Sequence, residues 1–138
     1  MPETGYMIKP IGIVRSVLTD RDAAPHQGYE GAPEAWLEID SSVTEGLEGV
    51  TADSEVIVIT WFHKAERDRL KVHPRRDKKA PLAGVFATRS PDRPNPLGLH
   101  RVTVLEIDGN RLKVRPLEAI DGTPIVDIKP VLKQSADS

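Results

Sequence analysis

Cysteine is absent from this 138-residue chain, which excludes disulfides, thiolate metal ligands and a cysteine nucleophile. Aromatic residues make up only 4%, too few for the row of stacking rings that holds single-stranded nucleic acid. No apolar run approaches the ~20 residues of a membrane-spanning helix. The N-terminus lacks the apolar core of a signal peptide, so the expected location is the cytoplasm. Neither sign of charge is in excess: 19 Lys and Arg face 21 Asp and Glu, for a net charge of −2. That excludes a globally basic nucleic-acid binder and leaves room for a local basic patch. No G-x-G-x-x-G follows a strand and no Walker lysine motif is present, so a Rossmann or P-loop site is unsupported. A G-x-S-x-G nucleophile elbow is missing as well. The four histidines, His26, His63, His73 and His100, fall in no metal-ligand spacing, and no metal is expected.

What is present fits one domain over 1–138, with a core from about residue 8 to 130 and disordered ends at 1–7 and 134–138. Short strands are expected at 8–17, 35–39, 55–62, 85–87, 101–107, 111–115 and 125–128, each alternating or β-branched. Residues 18–33 read as a loop, and 64–76 as partly extended with Leu70 and Val72 facing inward. Ser41 to Val50 reads as a short helix with Ser42 as its N-cap and Glu45 at capping-box spacing. Asp108-Gly109-Asn110 is a hairpin signal. Many short strands between turns predict an all-β fold, a sandwich or a compact barrel with short helical turns and long loops.

The densest information lies in Gly84 to His100, seventeen residues with three prolines, two glycines and two arginines. Each proline fixes its own φ and pushes the preceding residue toward extended backbone. The result is a stiff loop carrying Arg89, Arg93 and Asn95 at set positions. Such a loop suits a binding surface; a rigid connector with solvated arginines fits its composition equally. Residues 63–79 hold eight Lys and Arg against Glu66, Asp68 and Asp77. They form either a phosphate-facing patch or a solvated charged face. Asp127 and Lys129 alternate with Val126 and Ile128 and so share one face of a strand.

Two motifs go further than class. Gly-Val-Phe-Ala-Thr-Arg-Ser-Pro-Asp-Arg-Pro-Asn-Pro-Leu-Gly-Leu at 84–99, and Asp-Gly-Thr-Pro-Ile-Val-Asp-Ile-Lys-Pro at 121–130, closely resemble the TsaA-like family. So do Pro10-Ile-Gly-Ile-Val-Arg-Ser16 and the Phe62-His63 pair. The resemblance runs from about Ile8 to Pro130. It implies a β-barrel tRNA methyltransferase that uses S-adenosylmethionine to methylate N6 of threonylcarbamoyladenosine beside the anticodon. It also implies a homodimer with cofactor sites near the subunit interface.

Carried over onto this chain, the family's cofactor contacts fall on Pro25, His26 and Gln27, on His63 and Lys64, on Arg89 and Leu99, and on Leu117, Glu118, Ala119, Ile120 and Asp121. Arg15, Arg75, Arg76, Arg93 and Asn95 are the candidates for holding the substrate. Asp127 is the candidate proton acceptor, with Lys129 stabilising developing negative charge. The chain departs from the family pattern at His26, Lys64, Asp92 and Val131, where Arg, Gln, an aromatic and Tyr are usual. Longer members carry a further C-terminal domain, so tRNA is expected to dock differently here or to depend on the dimer. The runner-up reading is a module that binds S-adenosylmethionine without transferring its methyl group, and a third is a methyltransferase for another RNA or small substrate.

Overall fold

The structure, a computed structural model, describes residues 5–19, 33–74 and 77–132. Most of the expected loop at 18–33, with Pro25, His26 and Gln27, lies outside the described residues, as do Arg75, Arg76 and the expected C-terminal tail. Among the described residues eight strands run in chain order: β1 Gly12–Arg15, β2 Ala35–Ile39, β3 Glu55–Trp61, β4 Lys71–Val72, β5 Ala83–Gly84, β6 Leu97–Asp108, β7 Arg111–Arg115 and β8 Pro124–Pro130. Six of them close into an antiparallel barrel in the order β1-β2-β7-β6-β3-β8, while β4 and β5 pair separately. Closure removes every sheet edge from the barrel. Of the sandwich or barrel expected from the turn-punctuated short strands, the fold observed is the barrel, the one that the family resemblance implied.

Side-chain alternation decides what fills the barrel. Leu37 and Ile39 on β2, Val56 and Val58 on β3, Val102 and Val104 on β6, and Leu112 and Val114 on β7 all point inward and are buried. Val14 and Ile125 complete the set from β1 and β8. Most of these residues are β-branched, which suits the pleated surface. The β6–β7 hairpin turns through Gly109-Asn110, with Asp108 paired to Arg111. Gly109 takes φ +62° at the first central position, as a type II′ turn requires. Asn110 keeps an ordinary φ and is used otherwise: its side-chain amide donates to Ile39 O at 2.7 Å.

Several local expectations are corrected. The first strand is confined to Gly12–Arg15. The 3₁₀ helix Ser41–Leu47 is capped by Asp40, not Ser42. The Asp40 carboxylate accepts from Ser42 N at 2.9 Å, and that bond holds its pKa below the ordinary value. An ionised carboxylate is a stronger acceptor than a hydroxyl, so Asp40 takes the role. Val85–Ala87 is a 3₁₀ turn rather than a strand. Val85 N donates to Leu70 O and Thr88 N then closes back onto Val85 O. Leu70 faces solvent at 65% exposure instead of packing inward, because the pairing beneath it is only two residues long. The proline-rich loop also ends earlier than composition implies: Leu97 to His100 belong to β6.

Candidate functional site at one end of the barrel

The C-terminal ends of β1, β3 and β7 and the N-terminal ends of β2, β6 and β8 meet at one end of the barrel, as the antiparallel registers require. The segment 116–123 crosses this end. Leu117 N donates to Pro33 O, Asp121 N to Leu18 O and Gly122 N to Val14 O. Leu117, Ala119 and Ile120 turn their side chains into the core. Asp121 faces the other way. Its carboxylate accepts from Ser16 N at 3.0 Å and lies 3.8 Å from Arg15. Arg15 also pairs with Glu38 at 3.0 Å, so two acids already hold this guanidinium.

Beneath the crossing segment lies a buried polar chain. His100 Nδ1 is 2.9 Å from Glu118 Oε1, and His100 Nε2 is 2.7 Å from Thr60 Oγ1. The His100 side chain is 1% exposed and that of Glu118 is 21% exposed, while Thr60 is fully buried. The Phe62 ring meets His100 edge-on, with centroids 5.7 Å apart. Reasoning from the sequence named Glu118 but missed Thr60 and His100. The available signal was parity: His100 precedes Val102 and Val104 on the inward side, and Thr60 follows Val56 and Val58. Assigning His100 to the loop hid it.

The proline-rich loop is anchored to the segment after β3. Phe62 N donates to Pro96 O at 2.8 Å, and Asp92 Oδ1 accepts from Glu66 N at 2.8 Å. The aspartate that replaces the family's usual aromatic thus ties the loop down with a hydrogen bond. Arg67 donates to Pro94 O at 2.7 Å and to Asn95 Oδ1 at 3.2 Å, with its guanidinium 5.0 Å from the Trp61 ring centroid. These contacts bring the exposed His63 and Lys64 beside the loop. Partial burial, then the Lys64 charge, lowers the His63 pKa, so the ring is neutral at neutral pH. Arg89 is exposed and makes no ion pair among the described residues.

Arg93 is engaged within the loop itself. It donates to Ser90 O at 2.8 Å, to Thr88 O at 2.6 Å and to Val85 O. Three carbonyls of one loop converge on one guanidinium, whose planar fork of donors is pre-organised for such a cluster. Arg93→Ala is expected to raise amide hydrogen exchange across 85–95 by about tenfold while β3 and β6 keep their protection. Unchanged exchange would show that the prolines alone hold the loop.

On the outside of the barrel, Leu97 pairs with Trp61 and Leu99 with Ile59, and Ile59 pairs with Asp127 on its other side. Leu97 and Leu99 are 40% and 51% exposed. Asp127 and Lys129 do share a face, where they form an exposed ion pair at 3.5 Å. The predicted residues that are described therefore divide among three places: the barrel end, the anchored loop beside it, and this outer face. Among the described residues no cluster of His, Asp and Glu is fit to hold a metal, and no helix is long and apolar enough to cross a membrane.

The described residues form a closed six-stranded barrel domain with a buried polar chain and a tethered arginine loop at one end. Residues 13–138 match the tRNA-methyltransferase O N-terminal domain, and the chain belongs to that family. An S-adenosyl-L-methionine-binding protein of Archaeoglobus fulgidus is 43% identical over 123 residues, covering 89% of this chain and 87% of that one. The crystal structure of TrmO from Pseudomonas aeruginosa superposes with a TM-score of 0.77 at 31% identity, covering 97% of this chain. This chain spans 58% of that TrmO chain and 33% of a longer A. fulgidus relative that is 44% identical over 123 residues.

Proposed function

We propose that this chain binds S-adenosylmethionine and transfers its methyl group to N6 of threonylcarbamoyladenosine in tRNA, as a cytoplasmic homodimer. The observation that carries the reading is the family match over 13–138, which includes both the arginine loop and the Asp127–Lys129 strand. The residues present suit the cofactor. Glu118 is a partly exposed acceptor, His63 is a neutral ring, Arg89 is an exposed donor and segment 117–121 lends its backbone. The bound cofactor supplies an electrophilic methyl group on a sulfonium. A carbamoyl nitrogen is a poor nucleophile until it loses its proton. Asp127 accepts that proton and Lys129, 3.5 Å away, offsets the charge that develops.

A second copy of the chain is the partner that best suits the outer face. Leu97, Leu99, Ile59 and Trp61 make an apolar stripe across two neighbouring strands, which a two-fold contact would cover. It lies beside Asp127, in keeping with a site completed at the interface. Phosphates would meet Lys71, Lys78 and Lys79, which are exposed, together with Arg75 and Arg76. Arg67 and Arg69 are committed to the loop and to Glu66. The alternative, a binding module without transfer, draws on the name of the A. fulgidus relative.

The test is to incubate the protein with S-adenosylmethionine and threonine tRNA bearing threonylcarbamoyladenosine, digest the tRNA, and weigh its nucleosides. A methylated nucleoside that vanishes when the tRNA lacks the threonylcarbamoyl group is expected. Asp127→Asn should slow single-turnover transfer by about a hundredfold with the fold intact. No product from a protein that binds the cofactor in calorimetry would favour the non-transferring module.

A further inference from the structure

The chain Thr60–His100–Glu118 orders a hydroxyl, an imidazole and a carboxylate as a nucleophilic triad does. Its accessibility is reversed. Thr60 is fully buried, so no substrate carbon reaches its oxygen, and the end that meets solvent is the carboxylate. An ionised Glu118 requires a proton on His100 Nδ1, which leaves Nε2 to accept from the Thr60 hydroxyl in the neutral ring. Phe62 closes the side of the imidazole. Every polar atom of the ring is thereby satisfied, and the carboxylate is held by one oxygen, Oε1. Oε2 has no partner among the described residues.

We propose that Glu118 takes the α-ammonium of the methionyl part of the cofactor on Oε2, and that His100 is the positioning residue that aims it. This rests on the cofactor reading above and names the contact within it. One free carboxylate oxygen suits a single cationic donor. A ribose diol is neutral, so it gains less from an ionised carboxylate than a cationic donor does. Burial of His100 keeps water from competing for Oε1, so the orientation of Oε2 is set before the ligand arrives. That pre-organisation lowers the ordering cost of binding.

The experiment is calorimetry with two probes, S-adenosylhomocysteine, which carries the ammonium, and 5′-methylthioadenosine, which lacks it. Glu118→Gln is expected to weaken S-adenosylhomocysteine by tenfold or more, on the order of one charged hydrogen bond, and to leave methylthioadenosine unchanged. His100→Asn keeps an N–H close to the Nδ1 position and should retain most of the affinity. His100→Gln places its amide near Nε2 and should lose about as much as Glu118→Gln. In the Glu118→Gln background, the His100→Gln penalty should vanish. Nitrogen-15 NMR of the wild type gives a readout independent of any variant's folding, a bonded Nδ1 proton on His100. Equal weakening of both probes by Glu118→Gln would overturn the ammonium assignment. Equal affinities for His100→Asn and His100→Gln, or an unprotonated Nδ1, would overturn the positioning role. A wild type that binds neither probe would sink the cofactor reading itself, and this inference with it.

Discussion

Gly12→Ala is expected to lower barrel stability by about 3 kcal/mol, near the upper end for overpacking. A Cβ built on Gly12 would sit 2.2 Å from Glu38 O and 3.0 Å from Ile39 Cα. Both are backbone atoms of the paired strand β2, so no rotamer change relieves the clash. The strands themselves must separate. Strand β1 is four residues long and holds both β2 and β8, which makes it the clasp that closes the barrel. A shift at Gly12 loosens both seams at once. The gain from a stiffer unfolded chain, roughly 0.4–1 kcal/mol for Gly→Ala, offsets only part of this. Against a typical total of ~5–15 kcal/mol, the loss is a large fraction. Thermal unfolding should show a midpoint lower by about 10 °C. An unchanged midpoint would mean that β1 contributes little to closure.

The parts of the fold legible in the sequence are those where pattern and pairing agree. Ala35–Ile39 alternates and is a strand with those bounds. Glu55–Trp61 is β-branched and lies centrally between β6 and β8. The errors fall where tertiary contact overrides local composition. Prolines at 91, 94 and 96 mark a loop, yet nothing in them says that the chain enters β6 one residue after the last. That boundary is set by pairing with Trp61 and Thr60 across the barrel. Arg93 reads from sequence as a free donor because the three carbonyls that engage it belong to residues up to eight positions away. The buried polar chain was half legible for a similar reason. Glu118 was named through family likeness, whereas Thr60 and His100, forty residues apart, become partners only when β3 and β6 pair.

Gly98→Ala is expected to do the opposite of Gly12→Ala: to spare the barrel and damage the site. A Cβ at Gly98 would lie 2.4 and 2.5 Å from the Phe62 ring and 2.8 Å from Thr60 Oγ1. The neighbours here are side chains, so they give way and the strands do not. The ring has one direction in which to move. Its backbone is tied to Pro96, so the ring turns away from Gly98 and its packing against His100 is disturbed. Thr60 is pushed off His100 Nε2, which frees the imidazole to rotate and disorients Glu118. Repacking of this kind costs roughly 1–2 kcal/mol, for a midpoint lower by about 5 °C. The affinity for S-adenosylhomocysteine should fall by more than about tenfold, because the buried chain that orients Glu118 is disturbed. Calorimetry alongside a thermal melt separates the two effects. Full affinity in a folded Gly98→Ala protein would show that Phe62 and the buried chain do not shape the binding site.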